Sequence, residues 1–273
     1  DFHCFDYGLL IFSTMIIAAA GNVINDYFDV KADRINKPEK VIISKFMKPR
    51  WAILWHWTFN LIAFLIAIYL SVKYDTFLFV FVHLLSINLL WFYSVQLKKK
   101  LIVSNLIIAL LTALVPLLAV GFFKTLNETN LPYSPYRSET WSTNLDYSFI
   151  YFLAACAFIQ NIAREINKDI HDVQGDIVTH MTSLPIKIGK EKAAYLTILL
   201  IQLPMVLFLL SYYVFNWIEV NKLTMILLLL SGAANFTSAL LYFWKKESIL
   251  GWINHLMKWS MLFGLICLFS NCL

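Results

Sequence analysis

The chain has 273 residues, 60% of them hydrophobic and 14% charged, with a net charge of +5 and a mean hydropathy of +0.68. Soluble domains are about 45–50% apolar and about 25% charged, so a soluble enzyme or a disordered chain is excluded in favour of a polytopic membrane protein. The basic residues fall in short clusters between apolar runs, which is the pattern of membrane topology and speaks against a nucleic-acid partner.

A helix that crosses a bilayer needs about 20 mostly apolar residues. Eight segments qualify, giving an all-α transmembrane bundle that fills a single domain over residues 1–273. The first span, 7–24, runs into Asn22-Val-Ile-Asn25-Asp26-Tyr-Phe-Asp29-Val-Lys-Ala-Asp33. Asn25, Asp29 and Asp33 are four apart and share one helical face, which Asn22 extends. The second span, 51–72, opens with Trp51, Trp55 and Trp57 beside Lys48 and Arg50, the composition of an interfacial aromatic belt. The third, 76–96, ends at Lys98-Lys99-Lys100. The fourth, 101–123, precedes a solvated loop from Lys124 to Tyr147, with the glycosylation pattern Asn127-Glu128-Thr129, relevant only in a eukaryotic secretory setting.

The fifth span, 148–164, delivers a second acidic run: Arg164-Glu165-Ile-Asn167-Lys168-Asp169-Ile-His171-Asp172-Val-Gln-Gly-Asp176. Asp172 and Asp176 are four apart, and Asp169 sits one turn earlier. The remaining spans are 194–214, 223–243 and 252–271. Alternate connections carry seventeen and four Lys or Arg, so both acidic runs are expected on the cytoplasmic side of an integral, multi-pass protein of the plasma or inner membrane. Residue 1 then lies outside. With Asp at position 1 and no basic leader, a further helix upstream is expected.

Like charges on one helical face repel, and carboxylates at a membrane mark function. One such run is explained by a solvated helix end; two runs with matched spacing, side and depth call for a cation. All-oxygen ligands select Mg²⁺, with Mn²⁺ as its substitute, over zinc or copper. Mg²⁺ binds through one or two carboxylates plus substrate phosphates. The expected ligands are Asn25, Asp26, Asp29, Asp33, Asp169, Asp172 and Asp176, with Asp29 and Asp33 facing Asp172 and Asp176 across one cavity and acting as the catalytic set. Lys31, Arg34, Lys98, Lys99, Arg164 and Lys168 are candidate phosphate donors. Most of these lysines also follow from the positive-inside bias, whereas Arg164 ends an apolar run and needs a partner: Glu165, an aspartate or a phosphate. His171, adjacent to Asp172, is set aside as lying off the carboxylate face. Cys156 and Cys267 lie inside apolar runs as packing residues, and any pairing of Cys4 and Cys272 stays open.

These residues resemble the UbiA superfamily of intramembrane prenyltransferases. Asn25-Asp26-Tyr-Phe-Asp29-Val-Lys-Ala-Asp33, followed by Arg34-Ile-Asn36-Lys37-Pro38, resembles its first signature, and Asp169-Ile-His-Asp172-Val-Gln-Gly-Asp176 its second. Tyr93-Ser94-Val-Gln-Leu97-Lys98 is similar to its connecting-loop motif, and Ser183-Leu-Pro185-Ile-Lys-Ile-Gly189 to the stretch after the second signature. The family commonly continues with Arg-Pro where this chain has Glu39-Lys40, so Lys40 is the stand-in. The resemblance implies nine helices, the first signature ending the second of them. It also implies Mg²⁺-dependent transfer of a prenyl group from an isoprenoid diphosphate to an acceptor, with Asn25, Arg34, Tyr93, Lys98, Arg164 and Lys168 on the diphosphate.

The acceptor is hydrophobic or aromatic. The run from Arg164 to Asp176 resembles the branch that prenylates geranylgeranylglycerol phosphate, a membrane lipid; the alternative is an aromatic acceptor of quinone biosynthesis, dihydroxynaphthoate or 4-hydroxybenzoate. A CDP-alcohol phosphotransferase would need Asp-Gly and Ala-Arg before Gly21, which are missing. A cation transporter, the more remote rival, would carry its carboxylates near the midplane instead of at helix ends.

Overall fold

The computed structural model describes residues 2–39, 41–128, 147–179, 181–214, 220–243 and 247–270. Among these, no strand is present beyond one isolated bridge, Ile43 to Met47. Nine α-helices follow in order: α1 Phe2–Asn36, α2 Pro49–Lys73, α3 Leu78–Val95, α4 Val103–Glu128, α5 Ser148–Val178, α6 Leu184–Ile188, α7 Lys190–Leu209, α8 Lys222–Tyr242 and α9 Glu247–Ser270. A 3-10 turn, Leu97–Lys99, precedes α4, and a π segment, Leu210–Val214, extends α7.

Among the described residues, seven helices are long and apolar enough to cross a membrane: α1 to α5, α7 and α8. The expected eighth span falls on α9, which is helical over 24 residues. The expected loop 129–146, with the end of the glycosylation pattern, lies outside the described residues, as do Lys40 and Cys272; Cys4, Cys156 and Cys267 are free thiols.

The chain divides into two compact units. The first holds residues 1–97 and 117–147. Here α1, α2 and α3 pack on one another, and Ala20, Ala52, Ala63 and Ala67, all fully buried, let the backbones approach closely. Gly21 serves the same end, since a Cβ there would meet the Leu90 side chain at 2.9 Å. Buried polar pairs lock the helices: His56 Nδ1 lies 2.9 Å from the Ala20 carbonyl and Ser13 Oγ 2.8 Å from His83 Nε2. At the N-terminal end of α1, the fully buried Asp6 takes the Tyr74 hydroxyl at 2.5 Å and the Lys73 ammonium at 2.6 Å. Burial, then the Asp6 hydrogen bond, pushes the Tyr74 phenol well above its ordinary range.

The second unit holds residues 98–116 and 148–273. α5 packs against α7 and α9, and α8 against α7 and α9. Gln160 on α5 donates to Asn235 Oδ1 on α8 and to Ser260 Oγ on α9, each at 2.8 Å, so one amide holds three helices. The stretch after the second acidic run folds as its residues dictate. Ser183 starts α6, Pro185 sits in its first turn, and Gly189, at φ +89°, turns the chain into α7. Asn221 caps α8 by accepting from the Thr224 amide at 2.8 Å.

Candidate active site

Both acidic runs lie on unbroken helix. α1 continues past its apolar stretch to Asn36, and α5 to Val178, so the four-residue spacings become faces. In the first unit Asn25 Nδ2 donates to Asp29 Oδ2 at 2.7 Å, the contact that i,i+4 spacing predicts. A carboxylate only accepts, so the amide nitrogen must face Asp29, and the amide oxygen is the atom it offers a cation. Asp29 is 5% exposed, Asp33 is half-buried, and Asp26 and Arg34 are exposed. Asp26 therefore stands off the ladder of Asn25, Asp29 and Asp33. Beside it, Phe28 meets Trp91 edge-on at 6.2 Å, and Trp91 stacks near His56 and Trp57 at 5.4 and 5.7 Å. This aromatic group, which begins one residue before Asp29 in the chain, was hidden among 44 Phe, Tyr and Trp residues in the sequence. Tyr93, on the same α3, is buried.

In the second unit Asp176 is 8% exposed, and Asp169 and Asp172 are half-buried. Asp169 Oδ2 accepts from Asn105 Nδ2 of α4 at 3.1 Å. His171 departs from expectation. Its Nδ1 lies 2.9 Å from Asp172 Oδ1, because two short side chains at the helix surface swing together although adjacent positions do not face each other. One turn and more upstream, Arg164 Nη1 donates to Asn161 Oδ1 at 3.0 Å and to Glu165 Oε1 at 3.2 Å. Glu165 is buried, and its Oε2 lies 3.8 Å from Lys168 Nζ. Arg164 thus has the carboxylate partner its position demanded. Lys98 is half-buried at the 3-10 turn.

Sequence reasoning left out Asn105, Asn161 and, as a site residue, Glu165. The spacing Asn161-x-x-Arg164-Glu165 was the available signal for two of them; nothing marked Asn105.

The donors fit Mg²⁺. Every candidate ligand offers oxygen, and among the described residues no three His, Cys, Asp or Glu side chains gather closely enough to cage an ion. An ion that takes one or two carboxylates and leaves its other positions to water and phosphate needs no cage.

The UbiA prenyltransferase family matches residues 2–262. The digeranylgeranylglyceryl phosphate synthase of Thermococcus gammatolerans is 36% identical over 191 residues, 68% of this chain and 59% of that protein. The chain spans about three fifths of the length of the relatives it matches. Among solved structures, an apo UbiA homologue from Aeropyrum pernix K1 superposes with a TM-score of 0.67 at 13% identity, covering 97% of this chain and 88% of that one. A UbiA homologue from Archaeoglobus fulgidus bound to DMAPP and Mg²⁺ gives 0.55 at 16%, covering 96% and 87%. Seven membrane-length helices and this common fold make the protein integral and multi-pass. With a family match over nearly its whole length, the chain belongs to the UbiA prenyltransferase family.

Proposed function

We propose that the protein transfers a prenyl group from an isoprenoid diphosphate to geranylgeranylglycerol phosphate within the membrane, with Mg²⁺. What carries the reading is the pair of oxygen ladders on α1 and α5, in a chain whose relatives include digeranylgeranylglyceryl phosphate synthases. The Archaeoglobus neighbour, bound to DMAPP and Mg²⁺, supports the donor and the ion. Asn25, Asp29 and Asp33 on α1, and Asp169, Asp172 and Asp176 on α5, hold Mg²⁺, with Asp26 at the margin. The bound ion supplies electrostatic stabilisation of the departing diphosphate.

The chain's own residues supply the rest. Lys98, Lys168 and Arg34 offer charge-assisted donors to phosphate oxygens, and Tyr93 offers a hydroxyl. Asn25 and His171 fix the rotamers of Asp29 and Asp172. The apolar helices keep water from the electron-deficient allylic carbon, so the acceptor hydroxyl attacks it in place of water. The acidic ends of α1 and α5 lie on the cytoplasmic side, where the Lys and Arg excess puts them.

The test is an assay of purified membranes with labelled prenyl diphosphates against a panel of acceptors. Turnover is expected with geranylgeranylglycerol phosphate and none with 4-hydroxybenzoate or dihydroxynaphthoate. The reverse pattern would remove the lipid acceptor while leaving the family intact.

A further inference from the structure

Arg164 does more than balance Glu165. Its guanidinium has five N–H donors in a planar fork. Nη1 is spent on Asn161 and Glu165, while Nε is buried and makes no hydrogen bond among the described residues. An unmatched buried donor on a charged group is costly unless a ligand meets it. Glu165 Oε1 lies 3.2 Å from Arg164 and its Oε2 3.8 Å from Lys168, so the carboxylate that holds Arg164 is shared with a second cation.

Position along α5 sets Arg164 apart from the metal carboxylates, the nearest of which, Asp169, follows it by five residues, a rise of about 7.5 Å. Arg164 precedes Asp172 by eight residues, a rise of about 12 Å, and Asp176 by twelve, about 18 Å. Reacting atoms in a prenyl transfer must approach to about 3 Å, and each carries its own anion a few bonds away, diphosphate on one side and acceptor phosphate on the other. Two anions at two levels of one helix match that requirement, the first where the aspartates need a cation and the second at the guanidinium with an unmatched donor.

We propose that Arg164, held by Asn161 and Glu165, binds the phosphate head group of the acceptor. This rests on the acceptor reading above and moves Arg164 from the diphosphate to the second substrate. This site needs no metal, because the guanidinium itself supplies charge-assisted N–H donors; the diphosphate site does.

The experiment uses the full chain in lipid nanodiscs. Binding of geranylgeranylglycerol phosphate is titrated with excess EDTA and compared with geranylgeranylglycerol, which lacks the phosphate; KM for each substrate is measured with Mg²⁺. Wild type is expected to bind the phosphate lipid in EDTA and to prefer it to the alcohol. R164Q should weaken that binding about tenfold or more, erase the preference and raise the acceptor KM, with the KM for the prenyl diphosphate within about twofold. R164K keeps the charge and loses the fork, so it should fall between the two, and it carries the comparison if R164Q fails to fold. If R164Q raises the diphosphate KM and leaves acceptor binding alone, Arg164 serves the donor and the proposal is overturned. If wild type itself neither binds nor prenylates the phosphate lipid, the acceptor reading falls and this site with it.

Discussion

Replacing Gln160 with Leu tests how far buried polar contacts hold the second unit together. The Gln160 amide makes two interhelical hydrogen bonds at 2.8 Å, to Asn235 Oδ1 and Ser260 Oγ. Such bonds within a bilayer contribute about 0.6 kcal/mol each on average and about 1.7 at most, which sets a range of about 1–3 kcal/mol for the pair. The partners narrow it. Ser260 keeps Ser231, whose hydroxyl lies 2.7 Å away, whereas Asn235 Oδ1 loses its donor and stays buried. The expected cost is therefore about 1–2 kcal/mol, most of it the unsatisfied Asn235 oxygen. Unfolding in mixed micelles, followed by tryptophan fluorescence, measures it. The double variant Q160L/N235L removes both polar groups and should recover part of the loss, since replacing both partners by apolar groups is nearly neutral. A neutral Q160L, or a double variant as unstable as the sum of its singles, would refute this account of the network.

Asp29→Ala and Asp172→Ala should each abolish turnover while the protein remains folded in the membrane, and chelation should do the same until Mg²⁺ or Mn²⁺ is restored; prenyl transfer with labelled diphosphate reads both. His171→Ala should raise the Mg²⁺ concentration for half-maximal rate about tenfold, the low end of what losing a partner of a metal-binding carboxylate costs, because the pair is 38% and 14% exposed; the rate at saturating Mg²⁺ should hold. Asp6→Asn should lower stability by about 2 kcal/mol, less than the about 3–5 of a fully buried pair because Lys73 is partly exposed, with a fall in the unfolding midpoint as the readout.

The spans and both ladders were legible because each rests on a local rule. Apolar length predicts a membrane helix, and four-residue spacing predicts one face; the Asn25–Asp29 contact is that spacing made visible. What failed depended on side-chain direction or on distant partners. His171 was set aside by a rule about helical faces that two short surface side chains evade. Asn105 reaches Asp169 across 64 positions, and nothing in the neighbourhood of either residue announces the other. Phe28, Trp57 and Trp91 are unremarkable in a chain this aromatic until α1, α2 and α3 bring them together.

The polar groups of this chain divide by whether the protein satisfies them itself. Gln160 with Asn235 and Ser260, Ser13 with His83, and Asp6 with Tyr74 and Lys73 are donors matched to acceptors across helices, and a bilayer requires that of any polar group it surrounds. They hold helices together. The α5 run is arranged on another principle. Asp169, Asp172 and Asp176 place three carboxylates within eight residues, and Glu165 is shared between Arg164 and Lys168. Asp172 and Asp176 are like charges at i,i+4, a spacing that costs folding energy and is repaid when a cation settles there. Further up the helix the charges alternate from Arg164 to Asp169, and what is left over is the buried Arg164 Nε, a donor satisfied when an anion meets it. That division is what a transferase with an anionic donor and an anionic acceptor requires: a metal for the leaving diphosphate, and a fixed guanidinium for the phosphate that stays.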